Sequence, residues 1–181
     1  CYFQTVHFDR SGKMKPKITK QEFDRRISKI RMHLEKNNID AILIYGDEYR
    51  KENLRYVSNY WPIFERGAML LGRNGEPIVI CAPEGQKVAE EMSIWPDIRL
   101  SRGFLRVTVP VEIDYPLAHH ASFSALAEEL RLNGQLEILG IVGLDAMSVD
   151  LYEKIRDGFR AALVVCNTIL YELRRERCAE E

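Results

Sequence analysis

Apolar residues recur at helical spacing near the start of the chain: Phe23, Ile27, Ile30 and Leu34 follow at steps of four, three and four, one stripe along a helix. Thr19 and Glu22 stand three apart just before it, the spacing of a capping box in which each side chain accepts from the other residue's amide. The helix is expected to end near Asn37 and Asn38. Arg25, Arg26, Lys29, Arg31 and Lys36 fall on its other side and are read as a solvated basic face. Residues 39–45 are a compact apolar run closing on Gly46, too short for a second helix and therefore a buried strand. Asp47, Glu48 and Glu52 follow. Carboxylates at the carboxyl end of a buried strand stand where α/β sheets bind ligands, but acidic side chains also favour the positive end of the next helix. With Arg50, Lys51 and Arg55 interleaved and no histidine close by, the helix reading is preferred.

Residues 53–58 predict a short helix that breaks at Pro62, leaving Tyr60, Trp61, Phe64 and Arg66 in one loop ahead of an apolar strand at 68–71. Such a loop, anchored by rigid elements on both sides, is a good place to hold a ligand. The strands 68–71 and 78–81 flank Gly72, Arg73, Asn74 and Gly75, and the Asn-Gly pair suits a tight reversal. Helical character follows at 84–92, a strand at 97–100 and irregular chain at 102–115. Within that stretch Val107, Val109, Val111 and Ile113 alternate with polar residues, and Pro110 confines any strand there to an edge. His119 and His120 come just before a helix carrying Phe123, Leu126, Ala127 and Leu130; neighbours on a helix diverge by about 100°, a poor arrangement for sharing one metal. His7 and His33 are isolated. Residues 137–142 are another short strand, and Gly140 to Gly143 lack the third glycine of a dinucleotide fingerprint. Ser148 is the expected N-cap of a helix with Leu151, Tyr152, Ile155 and Phe159. A strand at 162–166 and a last helix capped by Asn167 and ending in the basic run 174–177 complete the series. This alternation, with one hairpin, predicts an α/β fold: a three-layer arrangement with a mixed, mainly parallel sheet and helices on both faces.

Composition narrows the function classes. At 181 residues and 46% hydrophobic, the chain can bury one sizeable core, assigned to residues 18–177 behind a polar lead-in at 1–17. The 26 basic and 27 acidic residues leave a formal net charge of -1, which points to neither nucleic acid nor an anionic membrane as a partner. No apolar run approaches the roughly 20 residues that span a bilayer, and the first residues lack the order of a signal peptide. Cys1, Cys81, Cys166 and Cys178 show no close spacing of a zinc or redox motif, so reduced thiols and a cytoplasmic location are expected.

Asn53-x-x-Tyr56-Val57-Ser58, followed by the hairpin of 69–71, 72–75 and 77–81, resembles the N-terminal domain of the creatinase, prolidase and aminopeptidase P family over about residues 23–175. Asn59 stands where that family usually has glycine. The resemblance implies a ribonuclease-H-like fold and a catalytic, C-terminal domain of pita-bread type that supplies two Asp, one His and two Glu to a pair of divalent metals (Mn, Co or Zn). Nothing in this chain reproduces that set, so the chain by itself is expected to be inactive, with residues 178–181 opening a linker to the absent domain. No catalytic or metal-binding residue is assigned here. The family further implies a homo-oligomer, first of all a dimer, in which this domain walls an active site. Phe64-Glu65-Arg66 resembles a Phe-x-Arg element of the creatinase branch that reaches the substrate. By that likeness Arg66 would bind a substrate carboxylate in bidentate fashion and Phe64 would pack on its apolar part, with Trp61, Tyr60 and Tyr56 completing the candidate set. The plainer alternatives are an ion pair of Arg66 with Glu65 or another carboxylate, and simple packing for the aromatics. The implied parent reaction is hydrolysis of a carbon-nitrogen bond, first of all the peptide bond before proline. The alternatives are a creatinase-like domain acting with a small amidino substrate, and a free-standing peptide-binding or oligomerisation module.

Overall fold

Every one of the seven residues of strand β1 (Ala41–Asp47) is buried. A strand with apolar side chains on both faces needs a covering layer on each side. The computed structural model, which describes residues 18–105 and 120–176, supplies both. Strands β2 (Arg66–Gly72), β3 (Ile78–Cys81), β4 (Ile98–Leu100), β5 (Ile138–Val142) and β6 (Ala162–Val165) complete a sheet of order β4-β3-β2-β1-β5-β6. The β1–β2 and β2–β3 pairs are antiparallel, whereas β3–β4, β1–β5 and β5–β6 are parallel. This is the mixed, mainly parallel sheet that the sequence predicts.

Alternation along β1 assigns its side chains to two cores. Ile42 and Ile44 pack with helices α1 (Lys20–Lys36), α2 (Glu52–Ser58), α3 (Gln86–Met92) and α6 (Asn167–Leu173). Ala41, Leu43 and Tyr45 pack with α4 (Phe123–Leu132) and α5 (Val149–Phe159). The stripe Phe23, Ile27, Ile30 and Leu34 is buried as its spacing requires. On the other face, Phe104, Phe123 and Phe159 form a chain of ring contacts with centroids 5.6 and 5.9 Å apart. Asp40 ties β1 to β5: its carboxylate accepts from the amides of Glu137 and Ile138 at 2.8 and 2.9 Å and pairs with Arg73 at 3.2 Å.

Several boundaries and roles differ from expectation. β1 runs through Gly46 to Asp47. The helix expected at 84–92 opens with a 3-10 turn, Pro83–Gly85, before α3 begins. Between β2 and β3 lie residues 73–77, and only Gly75 there takes positive φ, at 84°, so the connection is a wider loop than a two-residue Asn-Gly turn. Thr19 caps α1 by accepting from the Glu22 amide at 3.3 Å, but the Glu22 carboxylate takes Arg25 and Arg26 as partners. Asn167 is the first residue of α6, whose N-cap is Cys166; its side chain accepts from the Gly143 amide at 2.8 Å, bracing the end of β5 where a strand must turn. Tyr152 is half-exposed rather than part of the buried stripe. The alternating run 107–113, His119, the lead-in 1–17 and the linker 178–181 lie outside the described residues.

Arg26 is the largest correction on α1. It is buried rather than solvated, because its guanidinium finds partners on every side: Glu22 at 2.9 Å, the Tyr56 carbonyl at 2.8 Å and the Tyr56 ring at 4.1 Å. A buried charge is tolerated only when it is paired and hydrogen-bonded in this way. Removing it orphans a carbonyl and leaves a cavity. Arg26→Ala should therefore lower unfolding free energy by about 3 kcal/mol, whereas the exposed neighbour Arg25→Ala should cost about 0.5 kcal/mol. Urea titration of the two variants checks this, and equal losses would contradict it.

Hydrogen bonding from Arg25 first, and from Arg26 after it, outweighs burial and holds the Glu22 carboxyl down to about 2, from an ordinary 4.5. A carboxyl depressed by folding adds stability that is present above its unfolded value and lost as pH falls toward the folded one. The wild-type chain should thus lose stability between about pH 5 and pH 2, and Glu22→Gln should show a shallower loss over that window. Thermal unfolding as a function of pH measures both slopes.

Candidate functional site

The candidate site is built outward from the end of α2. Asn59 stops that helix by adopting left-handed φ of 60°, the conformation that makes glycine or asparagine favourable at this place. Its side-chain amide donates to the Met92 carbonyl at 2.8 Å, fixing the stop against α3. The Ser58 hydroxyl donates back to the Leu54 carbonyl at 2.7 Å and accepts from the Tyr60 amide at 3.2 Å. The chain therefore leaves α2 in one direction only, with the Tyr60 ring directed into the core.

Glu65 then closes the loop from within. It is fully buried. One carboxylate oxygen accepts from the Tyr60 hydroxyl at 3.1 Å; the other accepts from the amides of Ile63 and Phe64 at 3.3 and 3.0 Å. The side chains of the two residues whose amides face inward point outward: Ile63 is 53% exposed and Phe64 45% exposed. Two adjacent large apolar side chains are thus displayed on a loop whose backbone is pinned from below. Trp61 is half-buried, with the Arg55 guanidinium 4.6 Å from its ring centroid, a cation–π contact.

The electrostatics around this anchor are one-sided. Burial, followed by the nearby Cys81 and Glu65, pushes the Tyr60 hydroxyl well above its ordinary value, so it stays protonated and can donate. Burial, with Glu65 next in importance, pushes the Cys81 thiol up to about 12, which makes it inert rather than nucleophilic. Glu84 keeps both carboxylate oxygens buried with no hydrogen-bond partner among the described residues.

The five residues singled out from the sequence divide into two groups. Tyr60 and Tyr56 are buried, with their hydroxyls donating to Glu65 and to the Leu173 carbonyl. Trp61, Phe64 and Arg66 present surface. Arg66 opens β2 opposite Asp47, while Glu65, one residue earlier, turns to the other side of the strand as alternation demands; the ion pair between the two does not form. Glu65 itself was not among the expected site residues. Its signal was the period of two: Glu65 shares phase with Gly67, Met69 and Leu71, and Met69 and Leu71 belong to the core that also holds Tyr60.

At its other end α2 is joined to the last helix. The Tyr56 hydroxyl donates to the Leu173 carbonyl at 3.1 Å, and Arg174 donates to the Asn53 side chain at 2.9 Å. One seven-residue helix therefore connects the displayed loop with the segment that follows α6.

The carboxylates after β1 do not gather into a metal site. Asp47 accepts from the amides of Tyr49 and Arg50, both at 2.9 Å, capping the turn into α2, and Arg50 pairs with Asp145. A cavity of about 200 Å³ lies beside them at the carboxyl ends of β1 and β5, bordered by Tyr45, Arg50, Asn53, Gly143 and Tyr171. Among the described residues no group of three or more His, Cys, Asp or Glu could hold a metal ion, and no helix is long and apolar enough to cross a membrane.

Comparison with solved structures finds the same fold. An Xaa-Pro dipeptidase from Bacillus anthracis superposes with a TM-score of 0.61 at 17% identity, over 88% of this chain and 38% of that one. The prolidase from Pyrococcus horikoshii OT3 gives 0.58 at 16%, over 87% and 37%. The N-terminal domain of the cytoplasmic peptidase PepQ from Mycobacterium tuberculosis H37Rv gives 0.59 at 17%, over 83% of this chain and 98% of that one. The chain thus spans under two-fifths of the length of the first two proteins and nearly all of an isolated N-terminal domain. No curated protein sequence matches it significantly. The family model described as the creatinase/prolidase N-terminal domain matches residues 26–175, the stretch that holds the sheet, the pinned loop, helices α2 to α6 and most of α1, and the chain accordingly belongs to the creatinase/prolidase N-terminal domain family.

Proposed function

We propose that this chain is the non-catalytic N-terminal domain of a hydrolase that cleaves the bond before proline, and that its loop at 60–66 walls an active site supplied by a second domain. The observation that carries this reading is that Phe64 is exposed and Arg66 half-exposed on either side of Glu65, whose buried carboxylate anchors the loop. A guanidinium is suited to a carboxylate because its planar fork donates two parallel hydrogen bonds. An exposed aromatic ring two residues earlier offers an apolar surface to a prolyl ring. Together they would select a short peptide with a free carboxyl end. The divalent metal pair that such a reaction uses belongs, in this reading, to the other domain, since the described residues bring no ligand set together. This chain contributes binding and orientation to the reaction.

The same reading makes the protein a cytoplasmic homo-oligomer, with a dimer as its simplest form. The junction of α2 with Leu173 and Arg174 supports the role of the loop as a wall: the loop and the chain leaving α6 are held by one short helix, which would set the loop's position relative to a domain attached beyond α6.

The test is kinetic. In the complete natural protein, Arg66→Ala and Phe64→Ala should each raise KM for an Xaa-Pro dipeptide by about tenfold to a hundredfold, the range expected for losing a charge-assisted hydrogen bond or a buried aromatic contact. Their effect on kcat should be smaller. Unchanged KM in both variants would remove this role from the loop.

A further inference from the structure

We propose that Glu65 is a positioning residue for substrate binding: it touches no ligand, but holds the Ile63–Phe64 backbone in the one conformation that displays both Phe64 and Arg66 at the surface. This rests on the reading of the loop as an active-site wall.

The geometry has three parts. First, the carboxylate is fully buried and its acceptors are aimed at the loop's own amides, those of Ile63 and Phe64. A buried carboxylate must fill its lone pairs or be strongly destabilising, so the loop is compelled to curl over it. Second, the Tyr60 hydroxyl takes the remaining oxygen at 3.1 Å, tying the start of the loop to its end across four intervening residues. Third, room for this carboxylate exists because residue 85 has no side chain. A Cβ at Gly85 would lie 2.4 Å from a Glu65 oxygen, closer than real carbon and oxygen atoms approach. The φ of Gly85 is -92°, so any residue could adopt its backbone there, and space rather than conformation requires the glycine.

The consequence is that substrate affinity depends on a residue facing away from the substrate. Binding to a preorganised loop avoids the cost of ordering it at the moment of association. Releasing Glu65 would let Ile63 and Phe64 fold inward or fluctuate and would move Arg66 off the line of the substrate carboxylate.

The experiment uses the complete natural protein with four variants: Glu65→Ala, Glu65→Gln, Gly85→Ala and Phe64→Ala. Two readouts are taken, hydrogen exchange of the Ile63 and Phe64 amides and steady-state kinetics on an Xaa-Pro dipeptide. Glu65→Ala should speed exchange of these two amides by about tenfold or more and raise KM by about tenfold, with kcat within about twofold. Glu65→Gln should recover most of both effects, because the carboxamide oxygen still accepts from the amides. Gly85→Ala displaces the carboxylate without removing an atom and should reproduce the rise in KM, which keeps the test open if Glu65→Ala does not fold. A loss of thermal stability alone, with KM unmoved in the Glu65 and Gly85 variants while Phe64→Ala raises it, would overturn the positioning role and leave the active-site wall standing. KM unmoved in Phe64→Ala as well would overturn both.

Discussion

β1 is buried along its whole length, with apolar side chains on both faces from Ala41 to Tyr45, and this requirement shapes the rest of the domain. A strand buried on two sides cannot lie at an edge or face water, so the chain must build neighbours on each flank and helices above and below. It does so by going two ways from β1: antiparallel through β2 and β3 on one flank, and parallel through β5 and β6 on the other. The antiparallel step is the one that matters for the site. An antiparallel neighbour needs no crossover helix of full length, so the short α2 and the loop after it fill the connection between β1 and β2. The loop is therefore anchored to the centre of the sheet, and its exposed residues sit on a rigid base.

The helix α2 is too short to be stable by itself and is held by side chains at both ends. Tyr56 and Asn53 reach α6 and the residue after it, Arg26 of α1 reaches the Tyr56 carbonyl, and Ser58 and Asn59 direct the exit toward Tyr60. Trp95 adds a further tie through its indole donor to the Val57 carbonyl at 2.8 Å. A helix restrained in this way transmits position well, because none of its ends can fray independently. The polar residues around it are consequently structural in a specific sense: they orient the loop that carries Phe64 and Arg66.

Most of the framework was legible in the residues. The stripe from Phe23 to Leu34, the apolar run that became β1 and the two strands of the hairpin each bury an uninterrupted pattern, and pattern reading works where burial is decided by the side chain's own chemistry. It failed where burial is decided by distant partners. Arg26 looked like a surface charge because its acceptor, the Tyr56 carbonyl, lies thirty positions away. Asn167 looked like a helix cap, whereas its acceptor oxygen is committed to Gly143. The loop at 60–66 could be located from its aromatics and from the family resemblance, and Arg66 and Phe64 do lie at its surface. The division of labour within it could not be read, since Tyr56 and Tyr60 are chemically as suited to a ligand as to a core. Their inward direction is set by partners distant from the pattern, Glu65 for the Tyr60 hydroxyl and the Leu173 carbonyl for that of Tyr56.

The measurement that bears most directly on the whole is a crystal structure of the complete natural protein with a non-hydrolysable Xaa-Pro dipeptide analogue bound. The loop at 60–66 should keep the form described here, with Glu65 against the Ile63 and Phe64 amides. The Arg66 guanidinium, from the same or a neighbouring subunit, should lie within hydrogen-bond distance of the analogue's carboxylate, with the Phe64 ring against its prolyl ring. An analogue seated in a catalytic domain with every copy of Arg66 and Phe64 out of contact would contradict the assignment of this loop as the wall of the site.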